Sequence, residues 1–144
     1  MLLIAACFGV AVITRLGAAV YRMDYLFYPD LPTDSLFSLL LAIDSPLAFL
    51  QTLTPMCLYF GELHIIFNSL WLWYFGRQLE AVQSSWVFLL IVTLTSFAGN
   101  TFQYLYSGAA NFGGMSGVVY GLVGYAWVLH NFVPGKRLMM NQSL

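Results

Sequence analysis

Apolar residues dominate four long stretches of this chain, and polar or turn-forming residues separate the stretches. They cover residues 2–20, 58–75, 86–106 and 116–133. A bilayer core about 30 Å thick requires about 20 mostly apolar residues in one helix. The pattern therefore predicts four membrane-spanning helices within a single domain, residues 1–144.

The connection between the first two stretches, residues 21–54, is long and acidic. It contains four aspartates against a single basic residue, Arg22. Inside it, residues 36–43 and 47–50 are too apolar for a solvated loop and too short to span. We expect these two pieces to lie in the membrane interface. Residues 76–85 are predicted to form a short polar link between the second and third spans.

Composition supports an all-α polytopic membrane helix bundle. Hydrophobic residues make up 60% of the chain and charged residues 8%, whereas soluble domains are about one-quarter charged. A net charge of -1 and basic residues that form no patch indicate no nucleic-acid partner. Cys7 and Cys57 match no metal or redox spacing. The expected surroundings are the lipid bilayer, with no cofactor and no metal.

Polar residues inside the second span mark a candidate site. Glu62, His64 and Asn68 lie in an otherwise apolar segment, and polar groups within a membrane usually face a bundle interior or cavity. His64, Asn68 and Trp71 have the spacing of one helix face. An imidazole and an amide one turn apart are two donors that could meet the same oxygen. The alternative is that this pair only joins helices by hydrogen bonds.

The fourth span begins at Ser116, directly after a glycine pair. Gly113 and Gly114 leave backbone amides uncovered by side chains, and such amides could hold an oxyanion. Tyr120 lies one turn after Ser116. A stripe of small residues on the same helix predicts close approach of a neighbouring helix: Gly117, Gly121 and Gly124. The alternative is a plain packing helix in which Ser116 bonds back to its own backbone.

Alternation of the spans predicts the topology. The second and fourth spans both begin on the outer side, so His64, Asn68 and Ser116 are expected at one depth. The link at Arg77 and the tail at Lys136 share the other face. The positive-inside rule then places both chain termini in the cytoplasm and the acidic connection outside.

Residues 53–129 resemble the rhomboid intramembrane serine proteases, especially the bacterial six-helix type. The resemblance rests on L-H-I-I-F-N-S-L-W in the second span and F-G-G-M-S-G-V-V-Y-G-L-V-G-Y at the fourth. It implies that Ser116 is the nucleophile, and that His64 and Asn68, with the Ser116 amide, stabilise the oxyanion. It also implies that Tyr120 packs against the ring of the catalytic base.

The resemblance further implies a bacterial inner-membrane protein that cleaves transmembrane substrates with a Ser–His dyad, with residues 21–54 as a membrane-embedded first loop. The chain departs from the family pattern in this loop. Rhomboids of this type often have a Trp-Arg pair where this chain has Leu50 and Gln51, and a histidine where it has Tyr59. These changes put the anchoring of the loop in question.

A third departure concerns the general base, which in this family is a histidine on the sixth helix in an Ala-His-x-x-Gly setting. The chain lacks this motif and the last two spans. His130 follows Ser116 by 14 residues on the same helix, which separates them by about 21 Å. Serine is a poor nucleophile without a base, so we expect no cleavage by these residues alone. The alternative is a non-catalytic rhomboid-like protein that binds transmembrane helices.

Overall fold

The computed structural model describes residues 2–135. Lys136 and Arg137, which contributed to the predicted topology, lie outside the described residues. Within the described range, the regular structure consists of helices and contains no β-strand. The α-helices are α1 (Leu2–Ile13), α2 (Leu36–Leu41), α3 (Pro46–Leu53), α4 (Glu62–Val82), α5 (Ser85–Ser107) and α6 (Ser116–Phe132). Short 3-10 turns occupy Arg15–Gly17, Val20–Arg22, Asp24–Leu26 and Thr54–Cys57.

The first helix is shorter than the apolar pattern predicts. A continuous helix over residues 2–20 does not form, because Arg15, Leu16 and Gly17 take φ values of 50°, 53° and 90°. Consecutive left-handed residues cannot continue a right-handed helix. The backbone N–H of Gly61 donates to the carbonyl of Leu16 at 3.2 Å and fastens this turn to the start of α4.

The second long helix begins later and ends later than predicted. It starts at Glu62 and continues to Val82, so the polar link expected at residues 76–85 is wrong for most of its length. Leu79 on this last part of α4 is fully buried, while the Arg77 guanidinium stacks over the exposed Trp73 ring at 4.6 Å. The helix therefore continues through this polar segment because one side of it is buried.

One helix among the described residues, α5, is by itself long and apolar enough to cross a membrane. The helix α6 has 17 residues and α1 has 12. The helix α4 has 21 residues but includes Glu62, Arg77 and Glu80.

The helix α6 packs between α4 and α5. Small residues set the α5–α6 distance: a Cβ on Gly117 would lie 3.6 Å from the Gly99 Cα, and a Cβ on Gly121 would overlap the side chain of Thr95. Gly124 differs, because nothing among the described residues lies within 4 Å of the position that a Cβ would take there. Within residues 2–135, no neighbouring helix therefore approaches α6 closely at Gly124, where the sequence predicted such a contact.

The acidic connection contains the two short apolar pieces as the helices α2 and α3, and hydrogen bonds fasten it to α5. The Tyr28 and Thr101 hydroxyls are 2.8 Å apart in a buried hydrogen bond. The Tyr104 hydroxyl donates to the Leu31 carbonyl at 2.7 Å. These bonds anchor the start of the connection in a chain that has Leu50 and Gln51 in place of a Trp-Arg pair.

The end of the same connection is held in a similar way. Asn100 on α5 donates to the carbonyl of Thr52 at 2.8 Å, and the Thr54 hydroxyl donates to the Leu26 carbonyl at 2.9 Å. The Gln51 side chain donates to the Tyr25 carbonyl at 3.4 Å in an exposed hydrogen bond. The α5 side chains thus position the segment that leads into α4.

Candidate active site

Ser116 is the first residue of α6, at the end of the loop 108–115, called here the serine loop. The preceding residue, Met115, makes no side-chain capping bond. The first amides of a helix have no partner within the helix, so the Ser116 N–H is directed out of the helix end. The Ser116 side chain is exposed, and its hydroxyl has no hydrogen-bond partner within residues 2–135. The back-bonded packing serine considered above is therefore not observed.

Gly113 and Gly114 bring this loop against the segment that precedes and begins α4. A Cβ on Gly113 would overlap Leu58, and a Cβ on Gly114 would overlap the His64 imidazole. Gly114 also has a φ of +121°, which favours glycine. Its N–H donates to the Pro55 carbonyl at 2.9 Å. The expectation that this amide is free to hold an oxyanion is therefore wrong for Gly114.

The His64 ring is oriented by one backbone and one aromatic contact. The Phe60 N–H donates to His64 Nδ1 at 3.4 Å, and the Tyr59 ring meets the imidazole edge-on with centroids 5.3 Å apart. A neutral imidazole that accepts at Nδ1 carries its proton at Nε2, and this tautomer is assigned from the hydrogen bond. Because Nε2 faces Gly114, His64 presents a donor to the loop that leads to Ser116.

Tyr59, which stands where the resembled family often has a histidine, is almost fully buried at 1% exposure. Its ring supports His64 by the edge contact just described. With a tyrosine at position 59, the His64 ring is therefore still packed against an aromatic side chain.

Asn68 lies one turn after His64 on α4. Its Nδ2 donates to the His64 carbonyl at 2.8 Å, and a side-chain amide has a second N–H to offer. Asn68 and Trp71 line a cavity that Ser116 also lines, whereas His64 does not. The three residues that the sequence places on one helix face therefore have different neighbours. His64 faces the serine loop, whereas Asn68 and Trp71 line the cavity.

The cavity is a groove of about 570 Å³ between α4 and α6, called here the α4–α6 groove. Its walls are mostly aromatic and aliphatic, with Asn68 and Ser116 as the polar groups nearest the start of the two helices. The lining residues are Phe67, Asn68, Trp71 and Phe75 from α4, and Ser116, Val119, Tyr120, Val123, Gly124 and Trp127 from α6.

Tyr120 extends into the groove next to Ser116 and is 77% exposed. The chain contains two histidines. One is His64, whose Nε2 faces Gly114, and the other is His130 in the last turn of α6. Within residues 2–135 no histidine is therefore placed to accept a proton from Ser116, and the space beside Ser116 and Tyr120 is open groove.

Sequence reasoning did not identify most of the apolar groove wall. Phe67, Trp71 and Phe75 repeat every four residues on α4, while Val123 and Trp127 do so on α6. This spacing was available in the sequence. Apolar residues at helical spacing look alike whether they line a groove or fill a core, so the pattern alone could not separate the two.

Comparison with known proteins identifies the same region of the chain. The sequence profile of the rhomboid domain matches residues 46–142. Over 87 residues the chain is 42% identical to the Rhomboid protease GlpG of Serratia proteamaculans (strain 568). Over 87 residues it is 39% identical to the proteins of the same name from Yersinia pestis (strain Pestoides F) and Yersinia pseudotuberculosis serotype O:3 (strain YPIII). Each alignment covers 60% of this chain and 31% of the relative.

The chain thus spans less than a third of the length of the curated relatives it matches. The domain match covers more than half of the 144 residues and includes α4, α5, α6 and the serine loop. The helical architecture and the two motifs at the α4–α6 groove agree with that match. The chain therefore belongs to the rhomboid family, whose fold is a membrane helix bundle.

Proposed function

We propose that this chain forms the nucleophile-bearing part of an intramembrane serine endopeptidase that cleaves transmembrane substrates by a Ser–His dyad. One observation carries the proposal: Asn68 and Ser116 line one groove, and His64 Nε2 faces the loop that leads to Ser116. The relatives named as rhomboid proteases support it.

In the proposed reaction, Ser116 Oγ attacks the carbonyl carbon of the scissile peptide bond while a base takes the hydroxyl proton. The negative charge that develops on the carbonyl oxygen accepts hydrogen bonds from the Ser116 N–H, His64 Nε2–H and Asn68 Nδ2–H. The base then returns its proton to the departing amine, and water hydrolyses the acyl-enzyme in the same way.

His64 serves this reaction as a donor. A nitrogen that already carries the proton cannot accept another from Ser116, and the Phe60 N–H occupies Nδ1. The resemblance to the family implies that the base is a histidine on a further helix, and we propose that this helix fills the α4–α6 groove beside Ser116 and Tyr120. Residues 1–144 alone are then inactive, because an unassisted serine hydroxyl is a weak nucleophile.

The proposed setting is a bacterial inner membrane, with four spans at residues 2–20, 58–75, 86–106 and 116–133. The first would cross as α1 followed by the turns after Ile13. Both termini of this chain lie in the cytoplasm, and the acidic connection lies on the outer face with Ser116. Transmembrane proteins are the substrates, and nucleic acids are not partners.

The experiment that tests the proposal compares the chain alone with a chimera. In the chimera, the chain is continued by the segment that follows the matched region in the Serratia relative. Both are reacted in detergent with a fluorophosphonate, which labels activated serines, and with a transmembrane model substrate. The chimera is expected to be labelled and to cleave, and the chain alone to do neither.

Ser116→Ala in the chimera should abolish labelling and cleavage. Thr93→Ala is the matched control, because Thr93 lies outside the α4–α6 groove and its hydroxyl donates to the Leu89 carbonyl of its own helix in an exposed hydrogen bond. A folded chimera that cleaves equally well with Ser116→Ala would reject Ser116 as the nucleophile. Cleavage by the chain alone that vanishes in Ser116→Ala would reject the need for a further helix.

The alternative function, binding of transmembrane helices without cleavage, is favoured by the apolar lining of the α4–α6 groove. In that case Ser116→Ala leaves the cross-linking of a transmembrane helix to the groove unchanged, and the chimera remains unlabelled by fluorophosphonate. Labelling that depends on Ser116 would decide for the protease.

A further inference from the structure

The two cysteines of the chain meet in the folded protein although 50 residues separate them. Cys7 belongs to α1, and Cys57 ends the 3-10 turn Thr54–Cys57. Their sulfur atoms are 3.4 Å apart, and both thiols are free. Because the sequence has two cysteines, each is the other's one possible disulfide partner within residues 1–144.

We propose that Cys7 and Cys57 form a reversible disulfide that ties α1 to the turn beneath the serine loop. A disulfide bond is about 2.05 Å long, so the sulfur atoms must move about 1.4 Å closer. The pair lies between two segments that already pack together, since α1 contacts the turn Thr54–Cys57. The sulfur atoms therefore start closer than two sulfur atoms in van der Waals contact.

The two thiols differ in access, and this sets the order of the steps. Cys7 is 1% exposed, whereas Cys57 is half-buried. The hydrogen bond with Cys7 and burial raise the pKa of the Cys57 thiol, so this first step is slow. The Cys57 thiol loses its proton and attacks one sulfur of a small-molecule disulfide, which releases one thiolate and leaves a mixed disulfide. The Cys7 thiol then loses its proton and attacks the Cys57 sulfur, which releases the second thiolate. The two protein thiols are oxidised, and the reagent disulfide accepts the two electrons.

Metal binding is less well supported by the same pair. Within residues 2–135, no third cysteine, histidine or carboxylate joins these sulfurs in a cluster suited to a metal ion. Structural zinc sites use four protein ligands. Thiol–disulfide exchange needs no ligand beyond the two sulfurs.

The position of the pair gives the bond a structural consequence. Within the turn Thr54–Cys57, the Pro55 carbonyl accepts the hydrogen bond from the Gly114 N–H. Leu58, which follows the turn, touches Gly113. The disulfide would therefore connect α1 covalently to the support of the loop that leads to Ser116.

The test counts free thiols in the chain after it has been purified in mild detergent. The protein is incubated with oxidised glutathione or with a phosphine reductant, quenched with acid, denatured and treated with a maleimide polymer large enough to shift the band on a gel. Reduced protein should gain two polymer adducts, and oxidised protein none. Oxidised protein should still run as a monomer on a non-reducing gel and should carry no added glutathione by mass spectrometry.

Two further comparisons make the test decisive. Cys7→Ser and Cys57→Ser should each leave one thiol, so oxidised glutathione can add to that thiol but no disulfide can form within the chain. Wild-type protein should close its disulfide at least about tenfold faster when folded than in denaturing detergent, because folding holds the sulfurs together. Glutathione on both cysteines, a disulfide-linked dimer, or equal closure rates in the two detergents would overturn the proposal.

Discussion

Gly114 shows how a backbone position can control the geometry of a candidate site. The imidazole of His64 occupies the space that a side chain at Gly114 would need. The residue also donates its N–H to Pro55 and has a positive φ. Its role is therefore to admit the histidine ring, and its amide is not available to a substrate oxygen.

We expect Gly114→Ala to displace the His64 ring and to lower the fluorophosphonate labelling rate of the chimera by about a hundredfold, the effect of removing one oxyanion donor. Gly108→Ala is the matched control, because Gly108 also has a positive φ of 66° but has open space where a Cβ would lie. It should lose about 1 kcal/mol of stability and keep its labelling rate. If both variants lost labelling equally, backbone strain would explain the loss, and displacement of the His64 ring would be rejected as its cause.

The sequence predicted the residues of the site better than their individual roles. His64, Asn68 and Ser116 lie near the starts of α4 and α6, and the prediction that they share one depth in a membrane stays a prediction. The same reasoning did not separate His64, which faces Gly114, from Asn68, which faces the groove. That difference depends on the loop 108–115, whose path has no periodic signal.

At the scale of the elements, α5 and α6 are joined by a contact between small residues. Gly99 faces Gly117, and Thr95 lies over Gly121. The glycine stripe was visible in the sequence, but its partners on α5 were not. The stripe also ends earlier than expected, because Gly124 borders the α4–α6 groove.

We expect Gly121→Ala to destabilise the α5–α6 pair by about 1–3 kcal/mol, the range for overpacking a close contact. Gly124→Ala should be close to neutral in this chain, since nothing among the described residues lies within 4 Å of its Cβ position. Unfolding in graded denaturing detergent measures both. Thr95→Ala should restore part of the loss in a double variant with Gly121→Ala, and a purely additive result would contradict the proposed contact.

Helix ends were the least predictable elements. The helix α1 stops at Ile13 because Arg15 and Leu16 adopt left-handed angles, and neither residue type signals such a conformation. The helix α4 continues beyond its apolar stretch because one side of it is still buried at Leu79. Both outcomes depend on contacts with other segments, which a local hydrophobic pattern does not contain.

At the scale of the whole molecule, the long acidic connection is a packed part of the bundle. Tyr28, Thr52 and Leu31 are all bonded to side chains of α5. Tyr28 also stacks on Tyr104 with ring centroids 4.5 Å apart. The apolar character of residues 36–43 and 47–50 predicted short pieces of structure, but the polar contacts that hold them could not be read from it.

We expect Tyr28→Phe to lower stability by about 1 kcal/mol, because it removes a buried hydrogen bond to Thr101 while keeping the ring. Thr101→Val should have a similar effect, and the double variant should cost less than the sum of the single changes. Thermal unfolding of the wild type, the two single variants and the double variant gives the coupling energy. Tyr25→Phe is the matched control. Tyr25 is 83% exposed, so the Tyr25→Phe protein should unfold at the same temperature as the wild type.

The start of α6 at Ser116, together with the start of α4 two residues before His64, has a further consequence for the electric field at the site. Each helix carries about half a positive elementary charge at its N-terminus from aligned peptide dipoles, and both of these ends lie where the two motifs meet. An anionic intermediate there would be stabilised by peptide groups that neither gain nor lose protons. The contribution of these peptide groups persists across the pH range, while the Glu62 carboxylate in the first turn of α4 opposes it at that helix.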